Sequence, residues 1–347
     1  MILLTIDWAL IIEKLVLIAI IITASLVIAM YATYGERKVA AWMQDRRGPN
    51  RAGPFGILQP LADGMKLFFK EEIIPTSSSK FLFILGPSLA MLTAMMTCAV
   101  VPWGGHLELF DRKINLQIAD VNVAILFVFA VVSLGVYGIM IGGWASNNKF
   151  SLMAAMRGAS QVISYELPMG LALIALLMIT GSLSLREMVD KQITGHWNIL
   201  YQPLGFLIFF VCAMAECNRA PFDLPEAENE LNMGYHQEYS SMKLGFYLFA
   251  EYINMFISSA IMATLFFGGY DVPFLNESTL SPNVAGIIGI VAFLGKIFIF
   301  IFVFMWIRWT LPRFRYDQLM NLGWKGLIPL ALVNMVITGA VVLWLNN

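Results

Sequence analysis

Eight apolar runs, each close to the ~20 residues that carry a helix across the hydrocarbon core of a bilayer, constrain this chain more than any other feature. They cover residues 15–34, 81–102, 121–142, 160–180, 199–217, 244–267, 284–307 and 326–345. Their hydrophobicity is all-round, where barrel strands would alternate in shorter segments. The expected architecture is therefore an all-α polytopic membrane protein, a single membrane domain over residues 1–347 with about eight transmembrane helices. Only 13% of residues are charged, against about 25% in a soluble domain, and the mean hydropathy of +0.74 excludes a soluble enzyme. With 22 basic and 23 acidic residues there is no basic excess to hold nucleic acid. The run at 15–34 lacks the positive flank of a signal peptide and is expected to be a retained first helix.

The connections between the runs set an orientation. The odd-numbered ones hold 16 Lys and Arg residues and the even-numbered ones four, Arg112, Lys113, Arg186 and Lys191. The positive-inside rule then makes the odd connections cytoplasmic and puts both termini outside. Within the first connection, Leu58, Leu61, Met65, Phe68 and Phe69 recur at helical spacing, with Gln59, Asp63, Lys66 and Lys70 on the other side. That pattern predicts an amphipathic surface helix over 57–69, lying in the interface or capping the bundle.

Four of the runs carry one ionisable residue each: Glu166, Glu216, Glu251 and Lys296. A charge at the centre of a membrane helix costs roughly 2.5–3.5 kcal/mol even on lenient scales, so it is kept for a partner or a task. Glu166 and Glu251 fall six or seven residues inside the cytoplasmic ends of their runs, roughly 10 Å deep at 1.5 Å per residue. Glu216 is shallower. The three carboxylates are expected to converge on a hydrated cavity, although Glu166 and Glu216 could instead snorkel to water. Lys296 lies midway through its run, and is expected to be a counter-charge to a glutamate or a link in a relay, a structural salt bridge being equally compatible.

The connection after Glu216 holds five acids, Asp223, Glu226, Glu228, Glu230 and Glu238, but only Arg219 and Lys243 as bases. A helix start at Asp223-Leu224-Pro225-Glu226 accounts for part of that acidity. The rest suits a proton pathway, which needs closely spaced titratable groups bridged by water. The three histidines and three cysteines form no ligand pattern for haem, an iron-sulfur cluster or another metal, and there is no nucleotide-binding glycine loop.

Several blocks carry a specific likeness. Glu36-Arg37-Lys38, Arg47-Gly48-Pro49-Asn50-Arg51-Ala52-Gly53-Pro54 and Leu58-Gln59-Pro60-Leu61-Ala62-Asp63-Gly64-Met65-Lys66-Leu67 resemble the first cytoplasmic loop of the quinone-site membrane subunit family of respiratory complex I, whose members are the bacterial H subunits and their mitochondrial equivalents. Ala215 to Glu230 with Glu238-Tyr239, and Leu311-Pro312-Arg313-Phe314-Arg315-Tyr316-Asp317-Gln318-Leu319-Met320, agree with the same family, as do Ser164-Tyr165-Glu166 and Ala250-Glu251-Tyr252. Departures are mild: Cys217 stands where the family often has Thr, and Asn229-Glu230-Leu231-Asn232-Met233 varies a commoner Ser-Glu-Leu pattern.

The resemblance implies a subunit of a proton-pumping NADH-quinone oxidoreductase in the bacterial inner membrane, inactive alone, with quinone as substrate. It implies that flavin and iron-sulfur clusters belong to peripheral-arm partners, and that small membrane subunits are further partners. Glu36, Arg37, Asp63, Arg219 and Phe222 would border the quinone chamber. Glu166, Glu216, Glu251, Glu226, Glu228 and Glu230 would form an acidic path leading from it, and the surface helix would frame the entry of the isoprenoid tail with the first and sixth spans. The alternatives are the equivalent subunit of a membrane-bound hydrogenase or related dehydrogenase, a secondary ion transporter, or a passive anchor. The transporter is expected to show two related halves, which this sequence lacks, and an anchor leaves Glu251 and Lys296 unexplained.

The orientation is directly testable. A cysteine introduced at Asn276 should react with an impermeant thiol reagent added outside the cell, and one at Asn50 should not; the reverse pattern would overturn the orientation.

Overall fold

A computed structural model describes residues 8–109, 112–273 and 281–346, the side chains of Leu109, Glu228, Asn229 and Asn346 excepted. Asn276 lies outside the described residues, whereas Asn50 is exposed. The chain is an all-α polytopic membrane protein. Seven helical segments among the described residues are long and apolar enough to span. They are α1 (Trp8–Met43), α3 (Lys80–Thr97), α4 (Ala124–Ala145), α5 (Lys149–Thr180), α10 (Ser241–Phe266), α11 (Pro282–Thr310) and a last segment, Tyr316–Leu345. That last segment is α12 (Tyr316–Asn321) joined through a π-helical turn, Leu322–Leu327, to α13 (Ile328–Asn346).

The run at 199–217, expected as one helix, is divided into α7 (Asn198–Tyr201) and α8 (Pro203–Glu216). Gln202 leaves the helical region at φ −133°, ψ 57°, and Pro203 restarts the helix at its first position, where a missing N–H costs nothing. The break has a partner elsewhere: the Gln202 amide donates to Thr338 Oγ1 at 2.5 Å and accepts from Asn334 Nδ2 at 2.9 Å, both on α13. With 14 residues, α8 is only ~21 Å long.

The fourth run also differs, because α5 starts eleven residues before the expected 160. Asn148 caps it by accepting from the Phe150 N–H at 3.0 Å, and Gly181, at φ 65°, ends it in the left-handed conformation that favours glycine. Its polar stretch is mid-helix and faces partners: Tyr165 donates to the Leu319 carbonyl at 2.9 Å, Trp324 donates to Ser164 at 3.1 Å, and Ser133 donates to Glu166.

Two elements lie between the apolar runs and add to the expected architecture: an antiparallel hairpin of β1 (His106–Leu109) and β2 (Arg112–Asn115), and α6 (Leu185–Thr194), whose Leu185, Met188 and Val189 share one buried face. The hairpin docks on the start of α11, where Glu108 and Asn283 exchange hydrogen bonds of 2.7 and 3.0 Å. The core crossing is that of α3 and α4, which touch through small residues. A Cβ on Gly142 would come within 1.9 Å of the Tyr247 hydroxyl, and one on Gly86 within 2.5 Å of the same oxygen. Tyr247 of α10 thus seals this crossing, donating to the Gly138 carbonyl at 3.1 Å. The expected surface helix is α2 (Gln59–Phe69), and a four-residue turn, α9 (Glu228–Leu231), sits in the acidic connection.

Candidate functional site: a chamber joined to a line of carboxylates

Four helices, α1, α2, α10 and, through Trp309, α11, line a cavity of about 420 Å³. Its apolar wall includes Met30, Leu67, Leu248 and Phe249, and its polar wall includes Glu36, Arg37 and Asp63. α2 is clasped to α1 by Arg37, which donates to Asp63 at 2.7 Å, while Gln59 donates to the other Asp63 oxygen at 3.1 Å. It is tied to α10 by Ser241, which donates to the Leu67 carbonyl at 3.2 Å. The face of α2 that meets the chamber is Pro60, Asp63, Gly64, Lys66 and Leu67; Leu61, Met65, Phe68 and Phe69 point outward and are exposed.

At the inner end of this chamber Glu36 is buried and fully engaged. One oxygen pairs with Arg308 at 2.6 Å; the other accepts from Arg219 at 3.1 Å and from Tyr252 at 2.8 Å. Arg219 is itself buried, with its guanidinium 4.0 Å from the centre of the Tyr252 ring. Burial alone would favour the uncharged guanidine, but Tyr252, Glu36 and Glu251 outweigh it and raise the pKa of Arg219. Its Nη2 makes no hydrogen bond and lies 3.8 Å from Glu251 Oε2.

Beyond Arg219 the acids gather. Glu226 lies against Glu251, and Asp223 is close to both. Burial, reinforced by the charge of Glu226, pushes the Asp223 carboxyl up to about 7 although Arg313 pairs with it at 2.6 Å. Tyr235 donates to Glu251 over a long 3.5 Å. Next, a cavity of about 50 Å³ is lined by Glu251, Glu216, Asn218, Asn254 and Tyr235. A second, of about 40 Å³, again reaches Glu216 and Asn254, and adds Thr97 and Ser258. Each is polar in part and exceeds the roughly 10–15 Å³ that a water needs. Glu166 is near enough to Glu216 for their charges to interact.

The sequence-predicted residues therefore divide. Glu36, Arg37 and Asp63 meet in the chamber; Arg219, Glu226, Glu251, Glu216 and Glu166 follow in line. Phe222 does not line the chamber: its ring is buried against Tyr165 and Phe314, with centroids 5.4 and 5.6 Å away, because the loop after Pro221 folds inward onto α5. Glu230 is exposed and pairs with Arg157 at 2.5 Å, away from the line. The side chain of Glu228 lies outside the described residues.

Lys296 meets none of the three membrane glutamates. Its ammonium donates to the carbonyls of Phe267, Gly269 and Asp271 at 2.7, 2.9 and 2.6 Å, and sits 4.7 Å from the centre of the Trp197 ring. The cause is local: α10 ends at Phe266, and the turn that follows it presents the Phe267, Gly269 and Asp271 carbonyls to one point, where Lys296 gathers them. Arg308, Arg313, Tyr252 and Asn254 also belong to the site without being marked by the sequence. There the two arginines count only as orienting charges, and the other two are ordinary neighbours of Glu251.

With this arrangement in view, comparison with known proteins is decisive. Residues 15–339 match the family model described as NADH dehydrogenase. The chain belongs to this family. It is 65% identical to the first of the NADH-quinone oxidoreductase H subunits of Cytophaga hutchinsonii, over 95% of this chain and 97% of that protein. It is 60% identical to the H subunit of Flavobacterium johnsoniae over 96% of each, and 49% identical to the first H subunit of Geobacter metallireducens over 93% and 94%. The family membership extends to both halves of the site, since the matched span contains the chamber helices and every carboxylate of the line.

The placement of Lys296 makes a prediction. Lys296→Met removes three charge-assisted hydrogen bonds from the turn that follows α10, each worth roughly 1.5–3 kcal/mol. The membrane-extracted protein should unfold at a temperature lower by several degrees, and Lys296→Arg should recover part of the loss. An unchanged midpoint in Lys296→Met would contradict the role of Lys296 in that turn.

Proposed function

We propose that this subunit forms the membrane side of the quinone chamber of a proton-pumping NADH-quinone oxidoreductase and begins the path by which protons leave it. The subunit is multi-pass in the inner membrane with both termini outside, α8 completing an eight-span bundle. Peripheral-arm subunits carry the flavin and iron-sulfur clusters and deliver electrons, and small membrane subunits extend the proton path.

One observation carries this reading: Glu36 lines the 420 Å³ chamber and is hydrogen-bonded to Arg219, whose free Nη2 lies 3.8 Å from Glu251. Reduction of a quinone to a quinol takes up two electrons and two protons, so charge changes beside the chamber during turnover. Arg219 stands between two carboxylates and responds to either. A small shift toward Glu251 closes the 3.8 Å gap to a direct contact and favours release of a proton by Glu251; a shift back toward Glu36 favours its recapture. The cavities that Glu251 and Glu216 share then offer water positions between these carboxylates and on toward Glu166. The two cavities are small, so the path is a relay through few groups rather than an open channel.

The arrangement also explains why a charged wall can face an apolar tail. Leu67, Leu248 and Phe249 line the chamber with hydrocarbon, while Glu36, Arg37 and Asp63 are grouped where α1 and α2 meet. A long apolar substrate with one polar head fits that division.

Replacing Glu216 or Glu251 by Gln separates proton carrying from shape, because Gln keeps the volume and most hydrogen bonds but cannot ionise. Either variant should assemble, and should lose most quinone-dependent activity and proton pumping together. NADH oxidation by an artificial acceptor should persist, because the peripheral arm is untouched. Assembled variants that keep the full rate and an unchanged proton-to-electron ratio would make these glutamates structural.

A further inference from the structure

The most fully buried polar side chain near the line belongs to none of the groups assigned so far. Gln161 of α5 is completely inaccessible. Its amide nitrogen donates to the carbonyl of Ala215 at 2.7 Å and to the carbonyl of Phe222 at 2.7 Å, and the Asn218 side-chain oxygen lies 3.3 Å away. Its own oxygen has no hydrogen-bond partner. All of its bonding capacity as a donor is therefore spent on one segment, 215–222.

That segment is where α8 stops and the acidic connection begins. The Ala215 carbonyl belongs to the last turn of α8, where carbonyls lose their helical partners. The Phe222 carbonyl stands at the end of the following turn, which the Phe222 N–H closes by donating to the Arg219 carbonyl at 2.8 Å. Between them Asn218 takes the left-handed conformation at φ 50°, which Asn tolerates better than most residues. One nitrogen thus fastens both ends of the loop that presents Glu216, at one side, and Arg219, at its middle. An NH2 group has two hydrogens, one for each of the two shortest contacts, whereas a hydroxyl or a single N–H has only one.

We infer that Gln161 is the positioning residue for Arg219: it sets the loop so that the guanidinium reaches Glu36 and Glu251 together. It touches neither substrate nor carboxylate. The inference rests on the proton-path reading above, in which Arg219 is the shared cation. A loop displaced by even ~1 Å would exchange the divided contact of Arg219 for a full contact with one carboxylate, and positional errors of that size are enough to impair a catalytic arrangement.

A double-mutant cycle in the assembled complex tests this, with Gln161→Met, Arg219→Leu and the combination, each rate divided by NADH oxidation with an artificial acceptor to correct for assembly. Gln161→Met should lower the quinone-dependent rate about tenfold, the size of effect produced by losing a well-made hydrogen bond. The double variant should be no slower than Arg219→Leu alone, because a positioning residue has nothing left to position. Losses that multiply, or a Gln161→Met enzyme with the parent rate, would overturn the inference. Arg219→Leu with the parent rate would instead overturn the proton-path reading on which it rests. Gln161→Asn replaces Met in the cycle if Met prevents assembly; it keeps an amide but withdraws it by one methylene, so it too should lose rate only while Arg219 is present. Failure of both variants to assemble would assign Gln161 to folding and overturn the positioning role.

Discussion

The buried ion pair between Glu36 and Arg219 is the contact on which this structure turns. Taking both charges out of water costs several kcal/mol per ion, and their attraction offsets this only when the remaining donors and acceptors are used. Glu36 meets that condition with Arg308 and Tyr252 added to Arg219. Because Glu36 stands on α1 and these partners come from α10, α11 and the loop after α8, one carboxylate fixes the mutual placement of four parts of the chain. It also puts the chamber wall and the first cation of the carboxylate line in direct contact, so a change of charge on one side is felt on the other in a poorly screened setting.

A buried loop is usually unfavourable, since its backbone polar groups lose water. Here the acidic connection is sustained by groups that reach into it from neighbouring elements. The Phe314 N–H bonds to the Pro221 carbonyl at 3.2 Å, and Arg313 pairs with Asp223. Tyr239 spans to the Gly142 carbonyl at 3.2 Å while its ring stacks on Phe83 at 4.1 Å. Loops that carry function commonly lie on a surface; this one brings Asp223 and Glu226 to Glu251 inside the bundle.

The features readable from sequence are those that the bilayer enforces. Long apolar runs, a basic-residue asymmetry and amphipathic spacing in α2 follow from transfer free energies that act residue by residue. Glu166, Glu216 and Glu251 stand out for the same reason, because ionisable groups are scarce in such runs. What stayed hidden depends on partners far away in the chain. Nothing near Lys296 announces that it will hold the turn after α10, since backbone carbonyls leave no mark in a sequence. The break at Gln202 depends on Asn334 and Thr338, more than a hundred residues later. Glu230 looks like its acidic neighbours until Arg157 draws it to the surface. Phe222, placed at the chamber by resemblance, is taken up by an aromatic cluster whose other members come from α5 and the segment before α12.

The central claim is that the chamber and the carboxylate line exchange charge through Arg219. Infrared difference spectroscopy of the assembled complex, comparing oxidised with reduced quinone, tests it most directly, because the carbonyl stretch of a protonated carboxyl reports its protonation. A carboxyl band should change on quinone reduction, be absent from Glu251→Gln, and be lost or displaced in Arg219→Leu. A difference spectrum in the carboxyl region that is the same in the parent and in both variants would contradict it.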